Sequence, residues 1–389
     1  MSKLNVINRN GDSAPFLRGI LTRSLQKVGL TFSEAYGAAS IVRNQLASKE
    51  TIITAQIREE VSQVLAAQFG PATEEQYRLS RGQPIWIRVY RKDGDDVWFS
   101  RTIFRYRLEI CGISHSTAEE LAHSVHERLV SEYPGGIDRE DLHRLACQMV
   151  LAQTGDYFAR NLEAWHKLAQ SDRTLVILIG GAPGVGKSAM AAHIATRLNI
   201  TRTQSTDMLR EVLRTLRPPE LVPELHFSSF EAWRALDPDA GKDTTAARVE
   251  VGSNRQANEV ELAVRALLER SQQEQLSIII EGVHIRPSIV ERLSLESDVS
   301  VVPLLRAVNR KKKLKSFFKG RSLTARRRGR KHYLDNFDAI WQLQETLTHQ
   351  AEHSGIPIVI NDEEETSTSV RVFSLIASAV ADCVLTDQD

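Results

Sequence analysis

The sequence predicts an α/β protein. Its main domain is a three-layer arrangement, a parallel sheet with helices on both sides, and two mainly α-helical repeat modules precede it. Three observations carry that expectation. The stretch "LVILI", Leu175 to Ile179, is a run of branched apolar residues without alternation, as a strand buried on both faces requires. The glycine-rich "GGAPGVGKS" follows directly, and "AMAAHIATRL" continues with helical periodicity, so the unit reads strand, loop, helix. The front half repeats itself: shifted by 83 positions, Gly11 to Leu46 matches Gly94 to Leu129 at twelve of 36 places. Matches at that density point to duplication.

Length and composition bound the rest. A chain of 389 residues exceeds one ordinary core and predicts two or three domains. With 42% hydrophobic and 25% charged residues, the composition is that of a globular protein. No apolar run approaches the roughly 18 residues that span a bilayer, and the first residues lack the apolar core of a secretory signal, so no membrane partner and a cytoplasmic location are expected. Cys111, Cys147 and Cys383 are odd in number, far apart and in no CxxC pair. That spacing suggests neither a disulfide framework nor a zinc site, only reduced core thiols. The net charge of +1 hides an asymmetry, because Arg306 to Lys331 holds 13 Lys and Arg and no acid. A basic patch, rather than a basic protein, needs explaining.

The repeat sets the domain boundaries at 1–82, 83–168 and 172–389. Each copy opens with a short strand and tight turn, "NVINRNGD" or "IRVYRKDGDD", where Asn-Gly or Asp-Gly supplies the positive φ of a hairpin. In the first copy Ile20, Leu21, Leu25 and Val28 share a helical face, and Gly29 stops that helix. A second helix is expected to start at a cap on Ser33 or Ser116, and a third near "TAQIREEVSQVLAAQF" or "DREDLHRLACQMVLAQ". The pattern resembles the ATP-cone, a small regulatory nucleotide-binding module. That resemblance implies a second, regulatory nucleotide held by Arg91, Lys92 and Arg101 of the second copy; the first copy has Asn8 and Arg9 at its turn. The competing reading makes both copies packing or homo-oligomerisation modules that bind nothing.

Residues Gly181, Ala182, Pro183, Gly184, Val185, Gly186, Lys187, Ser188 and Ala189 form the phosphate-loop pattern. Glycines let the backbone wrap a β-phosphate with its N–H groups turned inward, and the helix N-terminus adds a favourable dipole. Lys187 is then expected at the β- and γ-phosphates and Ser188 on Mg²⁺. There is no NKxD-type or DxxG motif, which argues against a switch GTPase. About 20 residues beyond Lys187 comes "STDMLREVLR". Asp207 is expected where a second strand meets its helix, with Arg210 and Arg214 on one face and Leu209, Val212 and Leu213 on the other. A rim carboxylate beside arginines suits the orienting of an attacking hydroxyl next to an anionic acceptor. The bland alternative is a helix cap with solvated arginines. "LSIIIEGVHIRP" reads as the next buried strand, and Glu281 at its tip is the Walker B candidate for the Mg²⁺ shell. His284 either faces the acceptor or is a satisfied loop histidine.

Taken together, residues 172–363 resemble the 2-phosphoglycerate kinase family, a P-loop kinase family. The resemblance rests on "GGAPGVGKS", "STDMLREVLR", "ELHFSSFEAW", "SIIIEGVHIRP" and "YLDNFDAIWQLQETL…IPIVIND". It implies ATP as donor, Mg²⁺ as cofactor and a small phosphorylated acid, 2-phosphoglycerate, as acceptor. By position it sets His226, Ser228 and Ser229 on the acceptor side with Asp207, Arg210, Arg214 and His284, while Trp233 reads as wall or core. The polar stretch 237–259 is expected to close over substrate. The basic run then becomes a lid over about 309–332, whose Arg321 and Arg327, with Arg326, Arg328 and Arg330, would neutralise charge on the transferring group. Other readings stay open: a nucleoside or nucleotide kinase, or a nucleotide-sensing regulator that binds RNA through "RKKKLKSFFKGR".

Overall fold

The computed structural model describes residues 4–385 except 8–12, 27, 29, 48, 50, 72, 75–76, 78–86, 93, 134, 237–244, 294–298, 321–329 and 362–364. The chain divides into two compact units, residues 1–99 with 126–139 and residues 100–125 with 140–389. Each is described by itself.

The first unit holds two small sheets of identical plan. In one, β1 (Asn5–Ile7) pairs antiparallel with β2 (Ser13–Pro15) and parallel with β3 (Thr51–Ile53), Val6 facing Ile52. In the other, β4 (Arg88–Tyr90) pairs antiparallel with β5 (Val97–Trp98) and parallel with β6 (Ile137–Asp138), Val89 facing Ile137. The sequence repeat is thus also a repeat of topology. Around the first sheet the helices Arg18–Gln26, Phe32–Gln45 and Thr54–Phe69 bury Leu21, Leu25, Ala39, Val42, Leu46, Val61 and Leu65 against Ile52. Two local expectations need correction. Ile20 is 67% exposed rather than on the buried face. The second helices are capped two residues earlier than expected: Thr31 forms a capping box with Glu34, and Ser114 accepts from the Thr117 amide, because the hydroxyl must precede the first free N–H groups.

The second unit contains β7 (Thr174–Gly180), β8 (Arg202–Ser205), β9 (Ile278–Gly282), β10 (Val299–Ala307) and β11 (Ile358–Ile360). They form one all-parallel sheet in the order β11-β10-β7-β9-β8. Side chains alternate along β7, so each strand feeds two cores. Leu175, Ile177 and Ile179 pack with Met190, Ala191 and Ile194 of the helix Lys187–Leu198 and with Phe373 and Ile376 of the helix Glu365–Leu385. Val176 and Leu178 pack with Val260, Val264 and Leu268 of the helix Ala246–Gln273 on the opposite face. All seven residues of β7 are buried, which is why its sequence shows no polar alternation.

Two stretches differ from expectation. Among the described residues one helix, Ser367–Leu385, is long and apolar enough to cross a membrane. Its Val372, Phe373, Ile376, Val380 and Ala381 are buried in the core beneath the sheet. Within the polar stretch 237–259, residues 237–244 lie outside the described residues, and Thr245 caps the 28-residue helix that follows. Val249, Gly252 and Ala257 of that helix are buried, so this part is scaffold rather than a loop over substrate.

Candidate active site

The strand ends bring the sequence motifs together. Glu281 lies in register with Ile179 on one side and Ser205 on the other, so the loop after β7, the tip of β9 and the helix after β8 meet at the C-terminal edge of the sheet. This edge is where parallel α/β sheets hold ligands.

Gly184 and Gly186 have φ of 88° and 93°, a region closed to most side chains, and they turn the loop back toward the helix that starts at Lys187. Ala182 and Val185 point inward and are fully buried, whereas Ser188 and Ala189 are exposed. Gly181 lies so near the Arg306 carbonyl that a Cβ would collide with it. Pro183 is half-buried. Lys187 Nζ donates to the Ala182 carbonyl at 2.9 Å, folded over its own loop. Ser188 Oγ donates to Glu281 Oε1 at 2.8 Å.

The loop has a support that sequence reasoning missed. Asn361, just beyond β11, donates its backbone N–H to the Ala307 carbonyl and its Nδ2 to the Val185 carbonyl at 2.9 Å. Its Oδ1 accepts from Arg306 Nη2 at 2.5 Å. Phe318 closes the other side, its ring meeting the space a Cβ on Gly184 would fill. Asn361 lay within the quoted "IPIVIND", but nothing in the chain order says that β11 ends beside the loop.

On the acceptor side, the helix Thr206–Leu216 is capped by Ser205, whose Oγ accepts from the Asp207 amide. Asp207 is exposed at the rim. Arg214 is also largely exposed and holds Glu211 at 2.8 Å. Leu209 and Leu213 pack inward, but Val212 is 57% exposed and does not join them. Arg210 is buried; its guanidinium bonds the carbonyls of Leu225 and Phe227 and the Glu211 carboxylate. His226 Nε2 donates to the Arg217 carbonyl at 2.9 Å. Ser229 is buried, and Ser228 Oγ stands 3.4 Å from His332 Nε2, which also meets Glu231 at 3.1 Å. Trp233 is core, as expected.

His284 is 1% exposed, and its hydrogen bonds define its tautomer. Gln256 donates its amide N–H groups to the carbonyls of Glu224 and Phe227, so its Oε1 is left to accept. Nε2 of His284 therefore carries the proton toward Gln256 Oε1 at 3.0 Å, and Nδ1 accepts from the Thr206 hydroxyl at 2.8 Å. Burial drives the imidazole far below its ordinary range, down to about 3; the Asp207 carboxylate pulls the other way, and Arg210, Arg286 and Lys187 add to the depression. Gly282 sits so close to Thr206 that a Cβ would overlap its hydroxyl, which seals this contact.

The expected lid divides in three. Residues 321–329, with Arg321, Arg326, Arg327 and Arg328, lie outside the described residues, and Arg330 opens the helix Arg330–Asp335. The helix Lys311–Gly320 buries Leu314 and Phe318; Phe318 stacks on Tyr333 at 5.2 Å and offers no face to a nucleic-acid base. In the first unit Arg91 closes the β4–β5 turn, its amide bonding Asp96, and Lys92 is exposed. In the second unit Arg101 begins the helix Arg101–Glu109 behind its cap Ser100 and is exposed.

An all-parallel sheet with a glycine-rich phosphate loop after its central strand and a carboxylate at the neighbouring strand tip defines the P-loop class of phosphate-handling α/β proteins. No protein-family model matches the chain. It is 32% identical over 286 residues to the 2-phosphoglycerate kinase of Pyrococcus horikoshii, covering 73% of this chain and 91% of the relative. The 2-phosphoglycerate kinases of Thermococcus kodakarensis and Methanocaldococcus jannaschii are each 32% identical over 70% of this chain, with 90% and 86% of their own lengths covered. The chain belongs to the 2-phosphoglycerate kinase family. A match of 286 residues is longer than 172–389 and so takes in part of the front half. The Pyrococcus relative is shorter than this chain by roughly the length of one repeat.

Proposed function

We propose that this chain transfers the γ-phosphoryl group of ATP to the free hydroxyl of 2-phosphoglycerate. The observation that carries the reading is the Ser188–Glu281 hydrogen bond at the mouth of the loop, 2.8 Å, beside Lys187. A hydroxyl and a carboxylate are hard oxygen donors suited to Mg²⁺, and the loop glycines leave a cradle that side chains would fill. Bound there, Mg²⁺ would neutralise charge on the β- and γ-phosphates.

Lys187 exchanges the Ala182 carbonyl for phosphate oxygens when the triphosphate enters. The acceptor hydroxyl attacks the γ-phosphorus in line, its bond to the bridging oxygen breaks, ADP leaves, and Asp207 takes the hydroxyl proton. Arg214 and Ser228 face the acceptor's phosphate and carboxylate, and the buried Ser229 backs Ser228 on the same side. Arg210, His226 and His284 serve the same side by holding the wall that carries those serines. Arg321 and Arg327 keep the role of lid cations, proposed from sequence. The support is the family, the exposure of Asp207 and Arg214, and the two hard donors.

Phosphorus NMR of ATP with 2-phosphoglycerate should reveal a second phosphomonoester on the glycerate as ADP appears. Turnover with nucleosides and none with 2-phosphoglycerate would overturn the proposal. The front repeats, 1–82 and 83–168, are proposed as ATP-cone-like modules, with Arg91, Lys92 and Arg101 binding a regulatory nucleotide. The full chain should then bind two nucleotides, one of them lost in Arg91→Ala with Lys92→Ala; a single equivalent in the unaltered chain removes the idea.

A further inference from the structure

The hairpin of the helices Arg139–Thr154 and Asp156–Leu168 carries a polar cluster that phosphoryl transfer does not use. Glu140-Asp-Leu-His143 and Glu163-Ala-Trp-His166 each set a carboxylate and an imidazole three residues apart on one helix face, and Cys147 adds a thiol four residues beyond His143. Across the hairpin they pair crosswise. His143 Nε2 meets Glu163 Oε2 at 2.6 Å, and His166 Nε2 meets Glu140 Oε2 at 2.9 Å. The two imidazoles stack with centroids 3.7 Å apart, and Cys147 Sγ stands 3.4 Å from His143 Nε2. One ligand atom each from His143, Cys147 and Glu163 lie within 4.8 Å of one another.

We propose that His143, Cys147 and Glu163 form a binding site for a divalent transition-metal ion of borderline softness, Zn²⁺ foremost, which clamps the hairpin. The donor set is nitrogen, sulfur and oxygen, which suits Zn²⁺ and disfavours Mg²⁺. Tetrahedral ligands about 2.0–2.3 Å from an ion lie roughly 3.3–3.8 Å apart, so these atoms need only small side-chain adjustments to surround one. Burial lowers the His143 pKa and favours the neutral imidazole; its Nε2 proton, held on Glu163, shifts to Nδ1 when an ion takes Nε2. Burial, with Glu163 beside it, pushes the Cys147 thiol up to about 12; the metal-free thiol is protonated, and ion entry must release that proton. His166, lying flat on the His143 ring and tied to Glu140, fixes the ligand's orientation.

The repeat supplies an internal control. The helices Thr54–Phe69 and Arg139–Thr154 are both 16 residues long and follow the parallel strands β3 and β6. Aligned from their first residues, they set Arg58 and Ser62 of the first copy at the places of His143 and Cys147. A guanidinium there repels a cation, so the ligand set belongs to the second copy and is not demanded by the helix pair. The clamped hairpin rests on the C-terminal helix: Tyr157 Oη meets Ser374 Oγ at 2.9 Å and Arg160 meets Asp382 at 3.1 Å.

The test is a titration of the full chain, stripped with a chelator, using Co²⁺ as an optical probe and Zn²⁺ as competitor. One equivalent of Co²⁺ should produce a thiolate-to-cobalt band in the near ultraviolet with tetrahedral visible bands. Zn²⁺ should erase them at one equivalent, release about one proton near neutral pH and raise Tm. Cys147→Ser and His143→Gln should weaken binding at least about tenfold, and Cys383→Ser should not. Absence of the thiolate band in the unaltered chain overturns the proposal before any variant is made. Full affinity in Cys147→Ser overturns it equally.

Discussion

The donor and acceptor sides of the cleft are built from the same kinds of residue and use them in opposite ways. On the donor side the polar groups of the motif stand at the surface of the loop: Ser188 is exposed and bonds Glu281, and Lys187 bonds its own Ala182 carbonyl. On the acceptor side Arg210 and His284 are buried in the wall, and half-buried His226 is tied to it. Arg210 holds two loop carbonyls, His226 holds Arg217, and His284 bridges Thr206 and Gln256. Chemistry nominates a residue, but burial decides whether it can touch a ligand. Asp207 and Arg214 pass that second test.

The largest expected effect tests the donor side. Lys187→Ala should lower kcat/KM for ATP by at least about a thousandfold, roughly 4 kcal/mol of transition-state stabilisation, with Tm nearly unchanged. Asp207→Asn should lower kcat about a hundredfold or more while leaving nucleotide affinity in place, as measured by calorimetry with ADP. Equal losses in affinity and kcat would break the assignment of this residue to the acceptor side.

A third experiment distinguishes wall from contact. His284 has a depressed folded pKa of about 3 against an unfolded value near 6.5, so below the unfolded value the unfolded chain binds more protons than the folded one. Its contribution to stability is whole above about pH 6.5 and falls with pH by about 1.4 kcal/mol per unit down toward the folded pKa. Denaturant titrations between pH 6.5 and 4.5 should display that slope, and His284→Gln should flatten it; an unchanged slope breaks the wall reading. The smallest effect is expected for Arg214→Ala, a rise in acceptor KM of up to about tenfold with kcat kept. If Arg210→Met gives the same pure KM effect without loss of Tm, the contrast between buried and exposed arginine fails.

Legibility in the sequence followed the range of the interaction. The phosphate loop could be read because strand, glycines, lysine and helix are consecutive, and local φ requirements choose their residues. The Thr31 and Ser114 caps were missed by two positions, since Ser, Thr and Asp compete closely within one turn. Ile20 and Val212 were assigned to buried faces by periodicity, yet both are exposed, because periodicity gives a face but not the width of the neighbour covering it. Asn361 and Arg306 were invisible as loop supports. The Asn361 contact with Val185 spans 176 residues of chain and exists only once β11 and β10 are paired.

By itself the sequence determined the parallel-strand pattern, the loop and its helix, the duplication in front and the family. Each of these is written in consecutive residues or in a repeat of them, where backbone conformation and burial period act locally. Tertiary structure alone decided which charged residues face a ligand and which hold the wall. It also decided that Glu163, 16 residues beyond Cys147, converges with His143 and Cys147 across a helical hairpin. The reason is physical: desolvation, tautomer and ligand geometry depend on distances between side chains, and those distances are set by packing rather than by order along the chain.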